Sequence, residues 1–143
     1  MSAHRLDPDG PGRLLARPGV QVCLAALRVE GEATRLVGGC VRDALLGRDG
    51  ADIDLATTLR PEDTLARARA AGLKAVPTGF EHGTVTLVVD GVPHEVTTLR
   101  EDIETDGRHA VVRYGRDFAR DAERRDFTIN ALSLSPDGRV HDT

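Results

Sequence analysis

The chain has 143 residues, 40% of them apolar, 29% charged and 3% aromatic, with a formal net charge of −4. That length fits one domain with a core of its own, which must be aliphatic because aromatic side chains are so few. The negative balance excludes a domain that grips nucleic acid through a broad basic surface, and no apolar run approaches the length of a membrane span or a secretory leader.

Residues 1–19 are rich in Pro, Gly, Asp and Arg without periodicity and read as a loose N-terminal arm. Val20, Leu24 and Leu27 recur at helical spacing over 20–29, and Gly31 can stop that helix. Residues 34–37 form a short strand that ends at Gly38-Gly39. A short helix over 40–46 follows, with Gly47 placed to end it. Residues 51–56 alternate as a strand does. Pro61 suits the first turn of the next helix, Glu62 and Asp63 favour its positive end, and Gly72 stops it. Residues 84–89 and 92–99 predict a hairpin closed by Asp90-Gly91, a strong two-residue turn. The polar stretch 101–117 reads as a loop. Phe118, Ala122, Ile129 and Leu132 fall near one helical face, which predicts a helix over 118–134. Ser135, Pro136, Asp137 and Gly138 then make a turn.

Cys23 and Cys40 match no zinc spacing and make no disulfide framework, so Cys23 is read as a buried core thiol in a reduced, cytoplasmic setting. Lys74 is the one lysine, and every other basic side chain is Arg. Arg matches phosphate oxygens with its planar fork, although genomic base composition gives the same bias.

Four constellations carry chemistry. Gly38 and Gly39 stand between a strand and a helix, where a ligand can approach the backbone and meet free N–H groups; Arg42 lies one turn in. Taken alone, two glycines before a helix more commonly mark a tight turn. Asp52 and Asp54, two apart in a strand, point to one face, and like charges held so close invite a cation. Oxygen donors of this kind suit Mg²⁺, which keeps waters and bridges to phosphates. Alone, the pair is as well explained by a solvated strand edge; the apolar Ala51, Ile53 and Leu55 bury the other face. Glu95, on the returning strand of the hairpin, would complete a two-metal site or else be a surface residue. Arg125 and Asn130, within Glu123 to Ala131, could hold a sugar or a phosphate, while Asp121 and Arg125 could equally be an ion pair on a surface helix.

In order along the chain, the run from Leu36 to Gly47, then Asp52-Ile53-Asp54-Leu55-Ala56-Thr57, resembles the first signature of the bacterial-type (class II) CCA-adding enzymes and their poly(A) polymerase relatives. Glu95 to Arg100 resembles the strand that follows, and Thr105 to Ala110 the family's flexible loop. Arg124-Arg125-Asp126-Phe127-Thr128-Ile129-Asn130-Ala131 resembles the second signature. The resemblance runs from about Leu36 to Val140. It implies an α+β nucleotidyltransferase head, a small mixed sheet flanked by helices, over residues 20–143. It further implies that Asp52 and Asp54 bind two Mg²⁺ ions with Glu95 as third carboxylate. Gly38, Gly39 and Arg42 would contact the triphosphate, and Arg125 and Asn130 the nucleotide. Arg108 and His109 would lie in the loop that reshapes the site between C and A addition. The implied substrates are ATP, CTP and a tRNA 3′ end, with no membrane partner. The family continues into a helical neck, body and tail that read the incoming base and clasp tRNA, so the chain is expected to be an excised or truncated head. Poly(A) addition, or a nucleotide-binding head without full activity, fits the same motifs.

Overall fold

A computed structural model of the chain describes residues 7–48, 52–104, 110–118 and 132–142. The elements in chain order are α1 (Gly10–Leu15), α2 (Pro18–Ala26), β1 (Thr34–Val37), α3 (Gly39–Leu45), β2 (Ile53–Thr57), α4 (Pro61–Ala70), β3 (Lys74–Gly79), β4 (Thr84–Val89), β5 (Val92–Thr98), β6 (Arg100–Glu104), β7 (Ala110–Tyr114), β8 (Leu132–Leu134) and β9 (Val140–Asp142). Seven strands form one sheet in the order β3-β4-β5-β2-β1-β8-β9, and β6 pairs with β7 apart from it. Within the large sheet β2 and β5 run parallel, and every other pairing is antiparallel. A parallel pair needs a crossover, here supplied by α4, β3 and β4. The fold is therefore the mixed-sheet α+β architecture that the motifs imply.

The two faces of the sheet differ because side chains alternate along each strand. Leu134, Leu36, Leu55, Val96 and Val85 are successive cross-strand neighbours on one face. They join Leu14, Leu15, Val20, Cys23, Leu27 and Val41 from the helices in one buried cluster. On the other face Val37 and Ala56 pack with Leu99 and Phe118 in a second, smaller cluster. The Arg35 guanidinium lies 4.1 Å from the centre of the Phe118 ring.

Three departures from the sequence reading have local causes. Residues 10–19 are not a loose arm: they are helical in α1 and at the start of α2, and Leu14 and Leu15 are buried. The prolines that look like breakers occupy the first turn of each helix, where proline's missing N–H costs nothing. The stretch expected as a loop over 101–117 contains most of β6 and all of β7, whose backbones pair antiparallel from Arg100 opposite Tyr114 to Glu104 opposite Ala110. The helix expected over 118–134 does not reach its end, because Leu132–Leu134 pairs with β1 as a strand; residues 119–131 lie outside those described. Ser135 to Gly138 is the expected turn, with the Ser135 N–H donating to Arg139 O at 3.0 Å and Gly138 at φ 89°. Strand β3 was not anticipated: Pro77 and Gly79 break its pattern and it lies at the sheet edge, where proline is tolerated.

Candidate active site

β1 ends at Val37, and the chain turns through Gly38 at φ 77°, ψ −144°, a backbone conformation that needs glycine. The N–H groups of Val41 and Arg42 donate to Gly38 O at 3.1 and 3.2 Å, which starts α3. Near the start of the helix, Cys40 Sγ–H donates to Val37 O at 3.3 Å. Cys40 is thereby buried, and burial pushes its thiol up from the usual range. Arg42 is exposed one turn in, with its guanidinium on Asp43 Oδ1 at 3.1 and 3.2 Å.

Strand pairing brings the carboxylates to this turn. Val37 is opposite Asp54 in the antiparallel β1/β2 pair, and Asp54 is level with Glu95 in the parallel β2/β5 pair. Val37, Asp54 and Glu95 therefore stand in one row on one face. Asp52, two residues before Asp54, precedes the strand and is exposed; Asp54 is half-buried and Glu95 exposed. The alternate residues Ile53 and Leu55 are buried in the core, which puts Asp54 on the opposite face of the sheet.

The donors on this face are all carboxylate oxygens, the chemistry that suits a hard divalent cation. Among the described residues, no three His, Cys, Asp or Glu side chains close around one point as a metal cage. Of the residues singled out from sequence, the fold brings together Gly38, Gly39, Asp54 and Glu95, with Asp52 two residues away along the chain and Arg42 on α3. Arg125, Asn130, Arg108 and His109 lie outside the described residues. Thr86 on β4 is opposite Glu95 and extends the row by one strand. Among the described residues, no helix is long and apolar enough to cross a membrane.

The chain is similar to known proteins in sequence and in fold. The model of the poly(A) polymerase head domain family matches residues 34–143. The chain is 46% identical over 109 residues to the mitochondrial CCA tRNA nucleotidyltransferase 1 of Danio rerio, covering 76% of this chain and 25% of that protein. It is 40% identical over 121 residues to the CCA-adding enzyme of Bacillus cytotoxicus, covering 83% of this chain and 30% of that one. Among solved structures it resembles the Bacillus stearothermophilus CCA-adding enzyme in complex with CTP, with a TM-score of 0.71 and 37% identity over 88% of this chain and 30% of that one. It also resembles a tRNA nucleotidyltransferase complexed with a primer tRNA and an incoming ATP analog, with a TM-score of 0.63 and 29% identity, covering 85% and 34% of the two chains. The chain thus spans between a quarter and a third of the length of these relatives.

Proposed function

The chain belongs to the poly(A) polymerase head-domain family, and on that premise we propose that it is the catalytic head of a template-independent RNA nucleotidyltransferase that builds the CCA end of tRNA. The observation that carries this reading is the row Val37, Asp54 and Glu95, which sets two carboxylates beside the Gly38-Gly39 turn on the open face of the sheet. The similarity to enzymes whose names specify CCA addition supports tRNA as the acceptor. The substrates are CTP and ATP, the acceptor is a tRNA 3′-hydroxyl, and the setting is the cytoplasm.

Bound Mg²⁺ ions would lower the pKa of the RNA 3′-hydroxyl and offset the charge of the departing pyrophosphate. Asp52 and Asp54 would hold them, with Glu95 as third carboxylate. The backbone at Gly38-Gly39 can approach the triphosphate because neither residue carries a Cβ, and an alanine at Gly39 would meet no atom within 4 Å of the protein itself. Arg42 would swing from Asp43 to a phosphate oxygen, exchanging one charge-assisted contact for another. Arg125 and Asn130 would hold the nucleotide, and Arg108 and His109 would reshape the site between C and A addition. The RNA 3′-oxygen bonds to the α-phosphorus, the bond from that phosphorus to the bridging oxygen breaks, pyrophosphate leaves, and the hydroxyl proton passes to water. No side chain acts as a nucleophile, so the protein contributes position and charge.

Thermal stability followed with ATP or CTP, with and without Mg²⁺, tests the site. A ligand that binds only the folded state adds about 2.7 kcal/mol at a hundredfold excess over its dissociation constant. Metal-dependent stabilisation by both nucleotides that disappears in Asp52→Ala and Asp54→Ala is expected. Equal stabilisation of these variants and the parent chain would refute the assignment. Poly(A) addition shares every motif named above; incubation with CTP, ATP and a tRNA lacking its 3′ end separates the two, since a CCA-adding enzyme incorporates both nucleotides in order.

A further inference from the structure

A cavity of about 610 Å³ lies at the end of β1 away from the Gly38-Gly39 turn. It is bounded by the later residues of α2, the connection from α2 to β1, the first residues of β1 and the turn between β8 and β9. That volume is the size of a small-molecule site. Leu24, Leu27, Val29 and Pro136 give it an apolar wall. Arg35 also lines it, and Gly38 is three residues further along the extended chain, about 10 Å away at the rise of a strand. The cavity is therefore a separate place from the turn.

Four charged residues line the cavity, and they are not equally engaged. The Glu32 carboxylate accepts from the Thr58 hydroxyl at 2.8 Å and from the Arg116 guanidinium at 2.5 Å. Asp137 accepts from the Ser135 hydroxyl and, at 3.0 Å, from the Arg139 N–H. Both carboxylates thus have donors already. Among the described residues, no carboxylate forms an ion pair with Arg28 or Arg35. Arg28 is exposed. Arg35 is half-buried, stacked on Phe118 at 4.1 Å, and gives one N–H to Ser133 Oγ at 3.2 Å. A guanidinium has five N–H donors and no acceptor, so most of those on Arg35 remain to be given. Burial holds Arg35 below the ordinary guanidinium range, against the pull of the Asp137 charge. The unmet demand of the cavity is for an anion beside an apolar surface.

We propose that this cavity is a second, metal-independent site for one nucleotide unit, its phosphate held by Arg28 and Arg35 and its base laid on the apolar wall. The choice of a nucleotide among organic anions rests on the reading of the chain as a nucleotidyltransferase head. Arginine suits a phosphate because its planar fork matches two oxygens at once. Arg35 is already fixed by Phe118 and Ser133, so little side-chain freedom is lost on binding. The same chemistry is offered by a free nucleotide and by a residue of an RNA strand.

The test titrates the whole chain with CMP in EDTA and follows backbone amide shifts by NMR, with melting temperature as a check on folding. Saturable shifts are expected at Arg28, Ala33 and Ser135, and none at Gly38 or Gly39. A charge-assisted hydrogen bond is worth roughly tenfold or more in affinity. Arg28→Gln and Arg35→Gln should each raise the CMP dissociation constant by that factor. Arg35→Gln also removes the stack on Phe118, so Ala25→Phe serves as a control: it fills the cavity from an exposed helix position with both arginines in place, and should weaken CMP equally. Shifts centred on Gly38 and Gly39, no saturable shift at millimolar CMP, or parent-like binding by Arg28→Gln and Ala25→Phe would overturn the site. Inorganic phosphate binding as tightly as CMP would overturn the nucleotide, since the apolar wall would then contribute nothing. Tighter binding of the trinucleotide CCC than of CMP assigns the site to an RNA strand, and equal binding assigns it to a free nucleotide. The double variant Asp52→Ala with Asp54→Ala should bind CMP as the parent does; loss of CMP there would place the ligand on the open face and overturn the second site. Metal-free CMP binding at the cavity in a chain that no triphosphate stabilises with Mg²⁺ would instead overturn the proposed function and leave the cavity site standing.

Discussion

Gly10 is where α1 crosses α3. A Cβ built there would stand 1.7 Å from the carbonyl oxygen of Ala44, where real Cβ contacts essentially never fall below 3.0 Å. The obstacle is backbone, so no side chain can rotate away. In Gly10→Ala, α1 must move off α3 by more than an ångström. That strains the packing of Leu14 and Leu15, both in the main core, and the bond from Asp7 N–H to Leu45 O at 2.7 Å. Forced overpacking costs about 1–3 kcal/mol, and a domain of this size loses about 2–4 °C of melting temperature per kcal/mol. The expected fall is therefore roughly 2–12 °C. Gly12, two residues on in the same helix, has nothing within 4 Å of its would-be Cβ. Gly12→Ala escapes the clash and gains helix propensity, so it should stabilise by about 0.5–1 kcal/mol. Differential scanning calorimetry of the two variants gives opposite signs if the crossing is as described. A Gly10→Ala protein that melts at or above the parent temperature would refute the close approach.

Other positions yield further expectations. The Thr58 hydroxyl, and with it the Arg116 guanidinium, holds the Glu32 carboxyl below its ordinary value of 4.5. A lowered folded-state pKa contributes stability that is complete above the unfolded value and lost as pH falls through the folded one. Glu32→Gln should therefore cost stability at pH 7 and progressively less below pH 4.5; a pH-independent difference in melting temperature would count against the contact. Cys23 is fully buried, which pushes its thiol up to about 11, and Cys40 is also buried. Neither should react with a disulfide reagent at pH 8 until denaturant is added, when both are titrated; rapid labelling of the native chain would contradict the core assignment. Asp90 at φ 51° and Gly91 at φ 78° form the two-residue turn of the β4/β5 hairpin. Gly91→Ala should cost about 1 kcal/mol in a urea titration, and Asp90→Asn should not.

The legible parts of the fold are those fixed by local chemistry. Gly38-Gly39, Gly47, Pro61, Gly72 and Asp90-Gly91 punctuate the chain, and each element they bound is found within a residue or two. The helical periodicity near Phe118 misled at Leu132–Leu134, because a three-residue strand has no period of its own and forms only through its pairing with β1. Polarity misled over β6 and β7, where backbone pairing, not an apolar pattern, makes the strands. In the site, the alternation of β2 puts Asp54 on the face opposite Ile53 and Leu55, while Asp52, expected in the same strand, stands just before it. Glu95 needed the family motifs, since nothing within its own strand indicates that it will run parallel to β2. The place of Thr86 opposite Glu95 depends on register between strands, which a linear pattern does not contain.

The place of β8 bears on how such a chain is made. β1 and β2 are close in sequence, but Arg35 meets Ser133 across 98 residues, and the Gly38 N–H reaches Leu132 O at 3.4 Å. At synthesis speeds of about 5–20 residues per second, that interval takes roughly 5–20 s. During it, β1 has an unpaired edge, the kind of surface to which another strand can add. A nascent chain of this fold therefore emerges with its Gly38-Gly39 turn lacking one flank. Ribosome-associated chaperones would have most to protect in that window, and stalling just before residue 132 should be the most aggregation-prone point of synthesis.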